Sequence, residues 1–148
     1  MISTQILRYF PHFSGLEEDA LGQIASISDK KEFDAGEELF TEGDRASHFC
    51  LLRVGQVNIV YRLGDGQTVV ADTLGSGEAF GWSAFVEPHR LTASCVANTG
   101  GEYIRIEGES LRRMCDEHPT WGYRIARELC KLLRDRLSAL RVRIAAAA

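Results

Sequence analysis

The sequence predicts a β-sandwich or jelly roll held between short N-terminal helices and one long C-terminal helix, and three observations predict it. From Lys31 to Ile106 apolar residues recur in short runs separated by glycines; before and after that region their spacing turns helical; and residues 119–148 carry a sustained apolar strip. A length of 148 residues fits one domain with a sizeable core. Hydrophobic and charged shares of 45% and 26% are those of a folded soluble protein, which excludes a disordered or low-complexity class. No run of 18 apolar residues occurs, and Met1-Ile2-Ser3-Thr4-Gln5 lacks the basic region and apolar stretch of a secretion signal, so a soluble, cytoplasmic protein that does not enter the membrane is expected. The four cysteines, Cys50, Cys95, Cys115 and Cys130, form no Cys-x-x-Cys pair and sit in apolar stretches, which predicts buried free thiols in a reducing compartment.

The first helical region runs from Ile6 to Ile27 and is broken around Phe10-Pro11. Ser14 or Gly15 is expected to open its second half, with Glu17, Glu18 and Asp19 in the first turn and Leu16, Ala20 and Ile24 on one face. Strand candidates follow at Phe33, at Leu39-Phe40, at Phe49-Cys50-Leu51-Leu52 and at Val54, Val57, Ile59 and Tyr61. Asp65-Gly66 signals a hairpin between residues 57–62 and 68–71, and Asn98-Thr99-Gly100-Gly101 signals a second between 92–97 and 103–106. Beyond Gly108 a short helix over 110–117 precedes a long one that Pro119 opens and that runs to about Ile144. Within the long helix Ala126, Cys130, Leu133, Leu137, Leu140 and Ile144 follow heptad spacing, and Ile125, Leu129 and Leu132 form a neighbouring strip. At ~100° per residue the two strips cover about 160° of the helix surface, more than one packing face needs. A second copy of the chain, paired through this helix, is therefore expected as a partner.

Between the strands lies the stretch 77–94, which reads as strand, loop, short helix and strand. The start of its helical turn leaves backbone N–H groups unpaired, where an anion is readily held. Gly77-Glu78-Ala79-Phe80-Gly81, then ten residues, then Thr92-Ala93-Ser94 resembles the phosphate-binding cassette of the cyclic nucleotide-binding domain family. The glycine framework from Ala35 to Asp44, with Phe49 and Gly55-Gln56-Val57, is similar to the early strands of the same family. The resemblance implies a double-stranded β-helix of the cyclic nucleotide-binding type over a single domain, 1–148, with helices in 1–30, the β-roll in 31–107 and helices in 108–148. It also implies a regulatory, non-enzymatic role, a small-molecule effector, and a C-terminal helix that closes over the ligand and forms the dimer.

That family places a glutamate after the Phe-Gly, for the ribose 2′-hydroxyl, and an arginine before the Ser/Thr-Ala, for the cyclic phosphate. This chain has Trp82 and Leu91 there. Trp has one N–H donor and Leu has none; losing two charged contacts of roughly 1.5–3 kcal/mol each weakens binding by about 10²- to 10⁴-fold. The substitutions therefore argue against cyclic AMP or cyclic GMP as the effector. Arg90 adjoins the arginine position, but strand alternation aims it to the opposite face. The candidate ligand-binding residues are Gly81, Trp82, Ser83, Arg90, Leu91, Thr92 and Ala93, and the candidate dimer residues are Cys130, Leu133, Leu137, Leu140 and Ile144. Two outcomes stay open for Trp82 and Leu91: a pocket remade for a more apolar ligand, or a filled cassette in a ligand-free dimeric module that binds some protein partner.

Other motifs carry less. Gly81-Trp82-Ser83-Ala84-Phe85 lacks the second glycine of a nucleophile elbow, and His48 with Cys50, or Cys115 with His118, supply two of the four ligands a zinc site needs. No constellation supports an enzyme or a bound metal. Residues 119–148 hold seven Lys/Arg against two Asp/Glu, yet Arg124, Arg127, Lys131 and Arg134 read as a solvated helix face. With only Ala145-Ala146-Ala147-Ala148 after Ile144 no DNA-binding domain is expected, unless the chain is the sensor half of a longer transcription regulator.

Overall fold

The computed structural model describes residues 1–147. Three short helices, α1 (Thr4–Arg8), α2 (Pro11–Ser14) and α3 (Glu18–Ser26), precede eight strands; α4 (Gly108–Glu117) and α5 (Pro119–Ala147) follow them. The strands are β1 (Ser28–Phe33), β2 (Glu38–Phe40), β3 (His48–Val54), β4 (Val57–Arg62), β5 (Thr68–Leu74), β6 (Ala79–Phe80), β7 (Ser94–Ala97) and β8 (Gly101–Glu107). They form two antiparallel four-stranded sheets of order β1-β8-β3-β6 and β2-β7-β4-β5.

The unbroken apolar run Phe49-Cys50-Leu51-Leu52 is explained by a sheet buried on both faces. Cys50 and Leu52 point into the roll, where they meet Phe33, Val57, Leu74, Phe80 and Tyr103. Phe49 and Leu51 point the other way, into a second core shared with Leu7, Phe10, Phe13, Ile24 and the helical Ile125 and Leu129. Strands covered on both sides lose the polar-apolar alternation of a half-exposed sheet. Inside the roll, Phe40, Phe80, Tyr103 and Phe33 pack in series, with successive ring centroids 5.6, 5.5 and 5.9 Å apart.

The β4–β5 hairpin forms as its Asp65-Gly66 signal predicts, with Arg62 opposite Thr68. The second expected hairpin does not form. β7 pairs with β2 and β4, while β8 pairs with β1 and β3, so Asn98-Thr99-Gly100-Gly101 crosses from one sheet to the other. This crossing runs beside the β3–β4 crossing, to which it is stitched by Gln56 N–H donating to Thr99 Oγ1 at 3.0 Å and Asn98 N–H donating to Gln56 O at 2.9 Å. A Cβ on Gly101 would lie 2.0 Å from the Val54 carbonyl oxygen, so only glycine fits there. Turn chemistry is local and does not say which sheet the next strand joins.

Other boundaries also differ. α3 begins at Glu18 after an uncapped Glu17, whereas Ser14 ends α2 and donates its hydroxyl to the Pro11 carbonyl. The roll's first strand starts at Ser28, whose hydroxyl donates to the Ile24 carbonyl and so joins helix to sheet. Cys50 and Cys95 are buried free thiols, burial pushing Cys95 up to about 12 and Cys50 well above its ordinary value. Cys115, on α4, is only half-buried and Cys130 is exposed, against expectation, Cys130 lying off the face of α5 that carries the buried Ile125 and Leu129. Among the described residues no helix is long and apolar enough to cross a membrane.

α5 is tied to the N-terminal helices by Trp121 Nε1 donating to Glu17 Oε1 at 3.1 Å and Arg124 Nη1 donating to the Gly15 carbonyl at 3.1 Å. His12 lies nearby, packed edge-on against Phe13 and Phe49. Burial lowers the His12 pKa, a shift opposed by Glu128 and reinforced by Arg136; burial likewise lowers that of His48. Both imidazoles are favoured neutral in the folded protein, while the unfolded chain takes up protons near 6.5. Their contribution to stability is thus present above that pH and is lost as pH falls through 6.5 toward the lower folded values. Chemical denaturation between pH 8 and pH 5.5 should show stability dropping on the acid side, with a shallower slope in His12→Gln.

Candidate functional site

The cassette turns sharply after β6. Gly81 has φ of 72°, and a Cβ there would approach the His48 carbonyl oxygen to 2.8 Å and the Phe40 ring to 3.0 Å. A 3-10 turn over Trp82–Ala84 follows, then a loop through His89, then β7. This arrangement brings Gly81, Trp82, Ser83, Leu91, Thr92 and Ala93 together around one small cleft of about 40 Å³, closed on the far side by Phe40, Ile59 and Tyr61. Leu91 is 8% exposed and packs into the main core, so it fills the place where the family's pattern has a cation.

Arg90 stands outside this cleft. Its backbone bridges to Arg45 and its Nη1 lies 3.4 Å from the Gly43 carbonyl, on the exposed side of the loop. Arg90 precedes β7, and it is not among the residues lining the cleft.

A different arginine reaches the cassette. Arg136 of α5 lays its guanidinium over the Trp82 ring, 4.5 Å from the centroid, and its Nη2 donates to the Ala79 carbonyl. Its Nη1 is buried without a hydrogen-bond partner. Burial pulls the Arg136 pKa below its ordinary value, with the Glu78 and Asp72 carboxylates opposing the shift from beyond contact distance. Sequence reasoning missed this residue, although a signal was present: Arg136 continues the buried strip Ile125, Leu129, Leu132 at helical spacing, a lone charge where an apolar residue belongs.

A larger groove of about 200 Å³ adjoins the small cleft on the other side of Trp82. Ile59, Tyr61 and Trp82 line it from the roll, and Leu133, Leu137 and Leu140 line it from α5. Arg136 and Asp72 are its charged residues; Asp72 is paired with Arg143 at 2.9 Å, and Arg143 also donates to the Ala71 carbonyl. Three of the heptad residues therefore face the chain's own roll across an open gap. Leu137, Leu140 and Ile144 remain 49%, 44% and 69% exposed. The basic stripe is partly engaged at the surface: Arg124 with Gly15, Lys131 with Glu128 and Arg134 with Asp135. His118 stacks on Trp121, and no group of three or more metal-ligating side chains occurs among the described residues.

An antiparallel jelly roll with a cassette turn between β6 and β7, closed by a long helix that touches the cassette, defines a class of regulatory sensor domain. The chain belongs to the cyclic nucleotide-binding domain family, whose pattern matches residues 30–118. A candidate cyclic nucleotide-binding protein from Geobacter metallireducens GS-15 superimposes with a TM-score of 0.84 at 30% identity, over 93% of this chain and 99% of that one. The sensor domain of the transcriptional regulator DNR from Pseudomonas aeruginosa shares the fold, with a TM-score of 0.76 at 20% identity over 91% of each chain. Among curated proteins, glutaminase 1 of Bradyrhizobium diazoefficiens is 32% identical over 86% of this chain, and a CRP-like cAMP-activated global transcriptional regulator of Mycobacterium tuberculosis is 24% identical over 82% of it. The aligned region spans 20% and 54% of those two proteins, so the likeness is one of domains.

A cation–π contact contributes about 0.5–2 kcal/mol, and a hydrogen bond from a charged donor about 1.5–3. Arg136→Gln should therefore speed amide hydrogen exchange across residues 133–144 by an order of magnitude or more and change Trp82 emission in a Trp121→Phe background. Unchanged exchange would show that Arg136 does not hold the helix to the cassette.

Proposed function

We propose that the chain is a cytoplasmic ligand-sensing regulatory domain whose effector lies in the groove between the cassette and α5, and that occupancy of the groove repositions α5. One observation carries this reading: Trp82 is at once the cassette's central side chain and the seat of Arg136, so cassette and helix share a single contact. Cyclic AMP and cyclic GMP are not the effector in this reading, because Leu91 and Trp82 occupy the two ligand-reading positions and the cassette cleft is only about 40 Å³. Isothermal titration calorimetry tests the point. The native chain should bind cyclic AMP more weakly than the double variant Trp82→Glu, Leu91→Arg by a factor on the order of 10² or more; micromolar binding by the native chain overturns it.

The chain is further proposed to pair with a second copy through α5, with Cys130, Leu133, Leu137, Leu140 and Ile144 along the seam and the partner helix roofing the groove. The exposure of Leu137, Leu140, Val142 and Ile144 on one helix end supports this. Leu137→Lys should halve the mass seen by light scattering while preserving the fold, and mild oxidation of the native protein should cross-link Cys130 to its counterpart. An unchanged mass removes the pairing. A second reading, a ligand-free dimeric interaction module, is favoured by the filled cassette alone; it predicts that the groove binds no small molecule.

A further inference from the structure

We infer that the effector is a small amphipathic organic acid, its apolar body lying between Ile59, Tyr61, Trp82 and the α5 leucines and its carboxylate on Arg136. This inference rests on the groove being the ligand site and names the class of molecule it takes.

Three features point to that class. First, the groove walls are apolar and aromatic, and its volume of about 200 Å³ falls below the roughly 300–1,000 Å³ of drug-sized sites, which fits a short aliphatic or single-aromatic body. Second, Arg136 brings a fixed positive charge into a largely buried position with Nη2 committed to Ala79 and Nη1 committed to nothing. A buried guanidinium donor left unmatched is unfavourable, and a carboxylate is the acceptor that matches its charge and its planar geometry. Third, the competing acid is already neutralised: Asp72, the carboxylate on the groove wall, is held by Arg143 at 2.9 Å. Glu78 acts on Arg136 from beyond contact distance and leaves the buried Nη1 without a partner, so a ligand reaches it only as the guanidinium shifts.

The arrangement also couples binding to the helix. Nη1 and Nη2 belong to one rigid plane stacked on Trp82, so drawing Nη1 toward a ligand tilts the plane and strains the Ala79 contact that fastens α5. An anion at Nη1 is thus read as a displacement of the segment from Leu133 to Leu140.

Paired probes of equal shape and different charge provide the test: octanoate with octanamide, and indole-3-acetate with indole-3-acetamide, titrated against the full chain at pH 7.5 and followed by calorimetry and Trp82 emission. At least one acid should bind tenfold or more tightly than its amide. Arg136→Gln should erase the preference, Arg136→Lys should retain part of it, and Ile59→Trp should block acid and amide alike with the fold intact. Acid and amide binding equally well would overturn the acid class while leaving the groove as the site. Tighter binding of cyclic AMP than of either acid would overturn it in favour of a nucleotide. Binding of none of these probes would remove both the acid and the groove.

Discussion

Arg136 over Trp82 is the contact on which the functional half of this structure depends. A guanidinium drawn out of water is costly unless its charge is met, and here the aromatic face and the Ala79 carbonyl meet it in part. The same contact fastens the outer half of α5 to the cassette, since beyond Leu129 no residue of that helix is fully buried. Farther along Arg143, on Ala71 and Asp72, ties the helix to the roll. The inner half is different in kind: Trp121, Ile125 and Leu129 are buried in the core with α1–α3 and the outer face of β3. One end of α5 is therefore part of the hydrophobic core, and the other is held by polar anchors.

The roll supplies the firmly packed side of that contact. The β3 strand of its first sheet is buried on both faces, and the second sheet is left with an edge, β5, whose Val69 and Val70 are exposed. Close backbone approaches at Gly81 and Gly101 leave no room for a side chain and keep the cassette and the paired crossings in place. Motion of the cassette as a whole would have to break these approaches, whereas motion of the distal α5 would break a few polar contacts. The asymmetry makes the distal helix the less firmly held of the two elements.

Membership of the cyclic nucleotide-binding domain family fixes the scaffold and leaves the effector to the residues that line the site. In this chain the two positions that read ribose and phosphate in the family's pattern are apolar, and the cation that reaches the site comes from the closing helix. A site so composed keeps one positive charge, gains aromatic surface and loses the polar fork for a sugar.

Much of the fold was legible in the order of residues. The change from helical to alternating spacing located the roll, Asp65-Gly66 located a hairpin, and the cassette glycines located the turn, because each of these is dictated by local backbone geometry. The order of residues also pointed to Gly81, Trp82, Ser83, Leu91, Thr92 and Ala93, which the fold gathers around one cleft. The crossing at Asn98–Gly101, the exposure of Cys130 and the approach of Arg136 were decided by tertiary structure alone. Each depends on which surface lies opposite across the molecule, and a local pattern carries no record of what a long helix will meet fifty residues away in the chain. What the sequence by itself determined is the scaffold and the apolar residues at Trp82 and Leu91; the contact of Arg136 with the cassette, made from a distant helix, exists only once the chain has closed upon itself.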